Sequence, residues 1–378
     1  MRQLTFLAAA LLLLAAKPGD AQRPPAPVPP GSATLEMVFV LDTTGSMGGM
    51  IGAAKQKIWS IVNDVLKSPH PPRVRVGLVV YRDHGDAYVT KVLPLTGDLD
   101  QVDTMLRGSQ AGGGGDTPED VRQSLSEGVL KTRWSPPRPH LAQVLFLVGD
   151  APPHDDYKSE PDTCASADRA ARAGITVNAI QCGNDPDTKA AWERIVRCGK
   201  GEYFQIAEDG GVQETPPTPF DAALGDLGTV MGGTYLPYLE TGSAAAITRQ
   251  HAREASVSRG ASLSTLADRA VNKALNRDAY RGDLLELLDT GAVTLETLRP
   301  ERLPASVRAL PAPERRKALK RALENRRSVR QEILTLSRQR DAYLGRATPA
   351  PGSGGQKGLD EAVVDALRRQ ASKKGIDF

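Results

Sequence analysis

Strand-like and helix-like patterns alternate along the first half of the chain, and this alternation restricts the fold more than any other feature. Residues 35–41 form a nearly continuous apolar run, which is the pattern of a strand buried on both faces of a sheet. Apolar residues then recur at helical spacing over residues 51–66. This order predicts an α/β fold, a doubly wound and mostly parallel sheet with helices on both faces. Further strands are predicted at 74–81, 88–93, 141–148, 175–181 and 203–206, and further helices at 99–106, 118–131, 161–173 and 187–198.

The connection between the second and third predicted strands is too short for a parallel pair. Only residues 82–87 separate these strands, whereas a parallel pair needs a crossover of about a dozen residues or more. The third strand is therefore predicted to lie antiparallel to the second, at an edge of the sheet.

The chain has 378 residues, which exceeds one typical hydrophobic core, so two domains are predicted. The α/β domain is assigned to residues 34–235, with a helix over 220–230 closing it. Residues 236–378 are predicted to be mainly helical, and no motif in this region indicates a function. Its helical patterns lie at 266–275, 284–288, 314–343 and 359–371, with a flexible linker at 349–355.

The N-terminus has the features of a secretory signal peptide. An unbroken apolar run over residues 6–16 follows a positively charged start and is too short to cross a bilayer of about 30 Å as a helix. Small residues at Gly19 and Ala21 fit a cleavage site, so residues 1–21 are predicted to be removed, the alternative being an uncleaved anchor. The Pro-rich residues 22–33 are predicted to form an extended linker. We expect an exported protein, periplasmic or extracellular, without a transmembrane segment after cleavage.

Oxygen-bearing side chains follow the strands predicted at 35–41 and 141–148. Others lie in a Gly-rich loop at 112–119, between these two strands in the sequence. The carboxyl ends of parallel strands meet at one edge of a sheet, where ligands bind at the topological switch point. Carboxylate and hydroxyl oxygens are the ligands that hard divalent cations prefer. The alternative is that the side chains after the first strand only cap the next helix. We predict one divalent cation, Mg²⁺ ahead of Mn²⁺ or Ca²⁺, bound by Asp42, Thr44, Ser46, Asp150 and either Asp116 or Thr117.

Two further polar groups are predicted to lie near this edge of the sheet. Asp83, His84 and Asp86 follow the second strand and form either a second cation site or a solvated turn. His154 lies four residues after Asp150 and either lines the rim of the metal site or is an ordinary loop residue.

The order of these motifs resembles the von Willebrand factor type A (VWA) domain with its metal-ion-dependent adhesion site. The resemblance covers roughly residues 34–230. It is strongest to bacterial secreted members, whose Gly-Gly-Gly-Asp-x-Pro-Glu and Asp-Ala-Pro-Pro-His motifs correspond here to residues 113–119 and 150–154. The resemblance implies a protein-binding module in which an Asp or Glu of a partner protein completes the coordination of the ion.

The resemblance also implies a role for each ligand. The hydroxyls of Thr44 and Ser46 would bind the ion directly, and the two carboxylates at the strand ends would bind mainly through water. The Gly-rich loop would supply one more ligand, which is Asp116 by its position before the next helix and Thr117 by its side-chain type. With Asp116 the site would be more anionic and would bind the cation more firmly.

Three cysteines are predicted to form one disulfide in an oxidising compartment. Cys182 ends a predicted strand and Cys198 ends the helix that follows it. We therefore predict a Cys182–Cys198 bond, with Cys164 as a free thiol.

These features favour a binding module over an enzyme. We therefore predict no catalytic residues in this chain. A metal-dependent hydrolase on the same scaffold is the alternative, with His154 as its only candidate base. A third interpretation is an anion-binding scaffold, because basic residues crowd the predicted helix over 314–343. The formal net charge of +3 argues neither for nor against nucleic acid, but few aromatic residues accompany this basic run, so base stacking is unsupported and no nucleic-acid partner is expected.

Overall fold

Six strands form one sheet in the order β3-β2-β1-β4-β5-β6. The computed structural model describes residues 33–211, 215–239, 243–280, 282–347 and 358–378. All neighbouring strands are parallel except β3, which lies antiparallel to β2 at one edge. This confirms the predicted α/β fold and its antiparallel edge strand. The strands are β1 (Thr34–Asp42), β2 (Arg73–Tyr81), β3 (Thr90–Thr96), β4 (Leu141–Gly149), β5 (Thr176–Cys182) and β6 (Lys200–Ile206).

Helices cover both faces of the sheet because side chains along each strand alternate between the two faces. Met37 and Phe39 of β1 face a core shared with α1, α2 and α12, whereas Val38 and Val40 face a core shared with α3, α4 and α5. An aspartate side chain caps the start of α2, α3, α4 and α5. These helices are α1 (Gly48–Leu66), α2 (Leu99–Gly108), α3 (Val121–Leu130), α4 (Thr163–Arg172), α5 (Pro186–Gly199) and α12 (Leu359–Ser372).

The chain reverses its direction of travel across the sheet between β1 and β4, which are neighbours. The connection after β1 runs to β2 on one side, and the connection after β4 runs to β5 on the other. Asp42 is the last residue of β1 and Asp150 directly follows β4. The two carboxylates therefore lie at the edge where α/β sheets bind ligands.

A second group of helices packs beside the sheet. α6, predicted from sequence as the helix that closes the α/β domain, packs against α8 and α11 through Leu224, Val271 and Ile333. α12 returns from this C-terminal part of the chain to the sheet, where Gln370 and Asn178 exchange side-chain hydrogen bonds of 2.7 and 3.1 Å. The remaining helices are α6 (Asp221–Gly233), α7 (Ser243–Ser258), α8 (Leu263–Leu275), α9 (Leu284–Asp289), α10 (Ala305–Arg308) and α11 (Ala312–Ala347).

The disulfide joins Cys164 to Cys198, with 5.5 Å between their Cα atoms, and Cys182 is a buried free thiol. The predicted Cys182–Cys198 bond is therefore wrong. Cys182 points into the core beneath α1. Cys198 packs with α4 and α5 on the opposite face of the sheet, so the sheet itself separates these two sulfur atoms.

Three predicted segments at the N-terminus and in the linkers cannot be compared with the structure. The predicted signal peptide 1–21, the linker 22–33 apart from Ala33, and the linker 349–355 lie outside the described residues. Among the described residues, no helix is both long enough and apolar enough to span a bilayer.

Candidate metal centre

The end of β1 presents a buried carboxylate with one unused oxygen. Asp42 is fully buried, and its Oδ1 atom accepts hydrogen bonds from the backbone N–H and the hydroxyl of Thr44, at 2.8 and 2.6 Å. Its Oδ2 atom is buried and forms no hydrogen bond of normal geometry, although the hydroxyl of Tyr81, also buried without a partner, lies near enough to lower the pKa of Asp42. Buried polar atoms are nearly always paired because leaving one unpaired is costly. Neither the 3₁₀ turn Gly45–Met47 nor α1 has a side-chain cap, so the helix-capping interpretation does not account for this carboxylate.

Glu119, which the sequence interpretation did not include among the ligands, places a second such carboxylate nearby. The residue is 3 % exposed, and its Oε2 atom is also buried without a hydrogen-bond partner. Burial and the charge of Asp42 raise the pKa of Glu119 to about 9, and burial raises the pKa of Asp42 to about 7. A bound cation would reverse both effects by compensating the negative charges. The only sequence signal for Glu119 was its position at the end of the Gly-rich motif, residues 113–119.

The Gly-rich loop brings Glu119 close to Thr44. Gly113 and Gly114 adopt φ angles of +79° and +76°, which favour glycine. A Cβ atom on Gly114 would lie 2.9 Å from Oε1 of Glu119 and 3.3 Å from the Cβ atom of Thr44. The glycine therefore leaves the space in which these two side chains approach each other.

The predicted ligands differ in their burial and in the groups that they contact. Asp150 is half-buried at the end of β4, and its charge contributes to the raised pKa of Asp42. Ser46 is exposed in the 3₁₀ turn that follows Thr44. Thr117 is exposed, and Asp116, also exposed, lies against His154. The buried carboxylate of the Gly-rich motif is thus Glu119.

A second group of potential ligands lies beside this site. Asp83, Asp116 and His154, which we call the His154 cluster, each offer one ligand atom, and these atoms lie within 4.8 Å of one another. Nε2 of His154 lies 3.4 Å from Oδ2 of Asp83 and 3.6 Å from Oδ2 of Asp116. This cluster differs from the group 83–86 considered from sequence. His84 pairs with Asp120 instead, at 3.1 Å.

The basic helix α11 has fewer unpaired charges than its sequence indicates. Arg326 pairs with Asp283 in the interior at 2.7 Å, and Arg330 pairs with Glu286 at 2.5 Å. Arg340 binds two buried carboxylates. The described residues that remain grouped on an open surface groove are Pro313, Arg316, Lys317, Lys320, Arg321 and Glu324.

Part of this chain is similar to known proteins. Residues 36–212 match the family model described as von Willebrand factor A domain. The chain is 34 % identical over 139 residues to von Willebrand factor A domain-containing protein 7 of Homo sapiens, covering 37 % of this chain and 14 % of that protein. It is 25 % identical over 150 residues to an ariadne-like RING finger protein of Acanthamoeba polyphaga mimivirus, covering 36 % of this chain and 14 % of that protein. The chain thus spans about one seventh of the length of each of these relatives.

Among solved structures, the chain is similar to the VWA domain of SpRpn10. The TM-score is 0.34 at 16 % sequence identity, over 47 % of this chain and 89 % of that one.

Proposed function

We propose that the von Willebrand factor A domain of this chain, over residues 36–212, binds a partner protein through a divalent cation at the carboxyl ends of β1 and β4. The observation that carries this proposal is the pair of buried carboxylate oxygens without hydrogen-bond partners, on Asp42 and Glu119. VWA domains generally act as protein-interaction modules. We further propose that the protein is exported, which the Cys164–Cys198 disulfide supports because disulfides persist in oxidising compartments.

The proposed ion is Mg²⁺, with Mn²⁺ or Ca²⁺ as alternatives. Thr44 and Ser46 would bind it through their hydroxyls, and Asp42, Asp150 and Glu119 would balance its charge. The ion would supply a Lewis-acidic position to which a carboxylate can bind. A hard cation takes about six oxygen ligands and retains water where the protein provides too few. An Asp or Glu of the partner protein would then replace one of these waters, and the exposure of Ser46 gives the partner access.

Asp42→Asn should abolish stabilisation of the protein by Mg²⁺. A ligand that binds only the folded state stabilises it by about 2.7 kcal/mol when its free concentration is about a hundred times Kd. The asparagine keeps the shape of the side chain but removes the charge that attracts the cation. Urea unfolding with and without Mg²⁺ measures the effect. Asp155→Asn, which removes an exposed carboxylate from the loop after β4, is the control and should retain the full Mg²⁺ effect. An Asp42→Asn protein that also retains it would place the cation elsewhere.

Ser46→Ala should weaken partner binding much more than it weakens the fold. Ser46 is exposed, and exposed substitutions usually change stability by less than about 0.5 kcal/mol. The substitution nevertheless removes one proposed direct ligand of the cation. A pull-down from the native envelope, with and without chelator, measures binding. Ser159→Ala, another exposed serine substitution, is the matched control. If the Ser46→Ala protein captures as much partner as the wild type, and chelator does not reduce capture, then partner recognition lies elsewhere on the chain.

The two alternative functions receive less support from the described residues. A hydrolase would need a base beside the cation, and the imidazole of His154 faces Asp83 and Asp116 instead. An anion-binding scaffold would depend on the open groove of α11, which groups four of the helix's basic residues, because four of its arginines are already paired with carboxylates. Binding through that groove would fall steeply with salt and would not depend on the cation. We therefore propose no enzymatic activity for this chain.

A further inference from the structure

We propose that the His154 cluster is a second metal site, which prefers a borderline divalent ion such as Zn²⁺ to Mg²⁺. It differs in its ligands from the oxygen site at Asp42, and the proposal does not depend on the function proposed above. One imidazole nitrogen and two carboxylates, from Asp83 and Asp116, would bind the ion.

The distances from His154 to the two carboxylates fit a small tetrahedral ion. Zinc binds nitrogen and oxygen ligands at about 2.0–2.1 Å, so neighbouring ligand atoms of a tetrahedral site lie about 3.3–3.4 Å apart. Nε2 of His154 lies 3.4 and 3.6 Å from the nearest oxygens of Asp83 and Asp116. These separations are too long for hydrogen bonds of normal strength. Two of the three separations are therefore close to those that an ion would need, and the oxygens of Asp83 and Asp116 lie within 4.8 Å of each other.

Nε2 of His154 is a buried nitrogen that faces two carboxylates without forming a hydrogen bond to either. The residue is 8 % exposed, and Nε2 has no hydrogen-bond partner. Nδ1 lies within hydrogen-bond distance, 2.8 Å, of Oδ1 of Asp156. A carboxylate can only accept a hydrogen bond, so Nδ1 is the donor in this contact and Nε2 is the nitrogen left to bind an ion, which would replace the proton there. A carboxylate that orients a histidine in this way is a common second-shell partner in metal sites.

The cluster combines two fixed ligands with one accessible ligand. The hydroxyl of Tyr157 donates to both oxygens of Asp83 at 2.9 Å, and the Tyr157 ring stacks on His154 with 4.1 Å between centroids. The backbone N–H of His154 donates to the carbonyl of Glu119 at 3.1 Å. The Asp116 side chain, in contrast, is 61 % exposed. This exposure leaves the ion open to solvent and gives it room for a fourth ligand.

The ligand set determines which ion is preferred. Imidazole suits zinc and other late first-row ions, whereas Mg²⁺ prefers six oxygen ligands in an octahedron. The site at Asp42 offers only oxygens, and the His154 cluster replaces one oxygen with nitrogen. The backbone of Glu119 connects the two sites, because its N–H donates to the carbonyl of Pro152 at 3.0 Å. Two different ions would therefore lie side by side at the same edge of the sheet.

The test is a titration of the full chain with Zn²⁺ in the presence of excess Mg²⁺, and with Co²⁺ as a spectroscopic probe. We expect the wild type to bind one Zn²⁺ that excess Mg²⁺ does not displace, and Co²⁺ to show visible absorption from nitrogen ligation. His154→Gln and Asp116→Asn should each weaken Zn²⁺ binding by more than tenfold. Asp156→Asn should weaken it by about 10–100-fold, which is typical for loss of a second-shell partner.

Two matched controls separate this site from other histidines and from the Mg²⁺ site. His84→Gln removes an exposed imidazole that stacks on the same Tyr157 ring but faces Asp120, and it should bind Zn²⁺ like the wild type. Asp42→Asn should retain Zn²⁺ binding even where it loses the Mg²⁺ effect. The proposal is overturned if the wild type binds no Zn²⁺, or if both His154→Gln and Asp116→Asn bind it as tightly as the wild type. Asp116 is exposed, so loss of binding in Asp116→Asn cannot be attributed to unfolding of the core.

Discussion

Arg340→Met will lower the free energy of unfolding by about 3–5 kcal/mol, the usual cost of removing one partner from a buried ion pair. Nε of Arg340 donates to Asp221 at 2.7 Å, and Nη1 donates to Asp268 at 2.6 Å. The first carboxylate belongs to α6 and the second to α8, so one guanidinium of α11 joins three helices. Methionine would fill a similar volume but would leave two buried carboxylates without their cation.

Urea unfolding of the full chain measures this effect as a lower midpoint. Arg338→Met is the matched control, because Arg338 is exposed on the same helix and its Nη2 donates to Thr335, at 3.2 Å, rather than to a buried carboxylate. Asp221→Asn and Asp268→Asn, added to Arg340→Met, should recover part of the loss because they remove the unpaired charges. An Arg340→Met protein as stable as the Arg338→Met protein would contradict the proposed joining role.

Loss of the Cys164–Cys198 disulfide will lower the free energy of unfolding by about 3–4 kcal/mol. The two residues are 34 apart in the sequence, and the chain-entropy treatment of a loop of this length gives a value in that range. The double substitution Cys164→Ser and Cys198→Ser should show the loss in urea unfolding. The serine variant should be insensitive to reductant, whereas reduction should bring the wild type to the same stability.

Mass spectrometry gives an independent test of the disulfide pairing. In the unreduced and folded wild type, we expect no cysteine to be alkylated, since Cys182 is buried. After unfolding without reduction, only Cys182 should react. Alkylation of Cys164 under those conditions would contradict the disulfide described here.

The sequence determined the sheet, because each strand is specified locally. A buried parallel strand requires a run of apolar residues wherever it lies, and residues 35–41 and 141–148 carry such runs. The short connection 82–87 likewise required an antiparallel neighbour. The same local patterns placed Asp42 and Asp150 at strand ends. The sequence was therefore sufficient to place Asp42 and Asp150, because the position of each depends only on the strand that precedes it.

Tertiary structure alone decided which side chains meet. Cys182 and Cys198 were plausible partners by spacing, but the face on which α5 packs puts the sheet between them. Asp116 belongs to the Gly-rich motif, yet its loop directs it to His154, whereas Glu119 of the same motif turns towards Thr44. α12 is separated from the strands by most of the C-terminal region and nevertheless completes one face of the sheet. Periodicity records the environment of each residue and not the identity of its neighbour, so contacts between distant segments follow only from the packing of the whole chain.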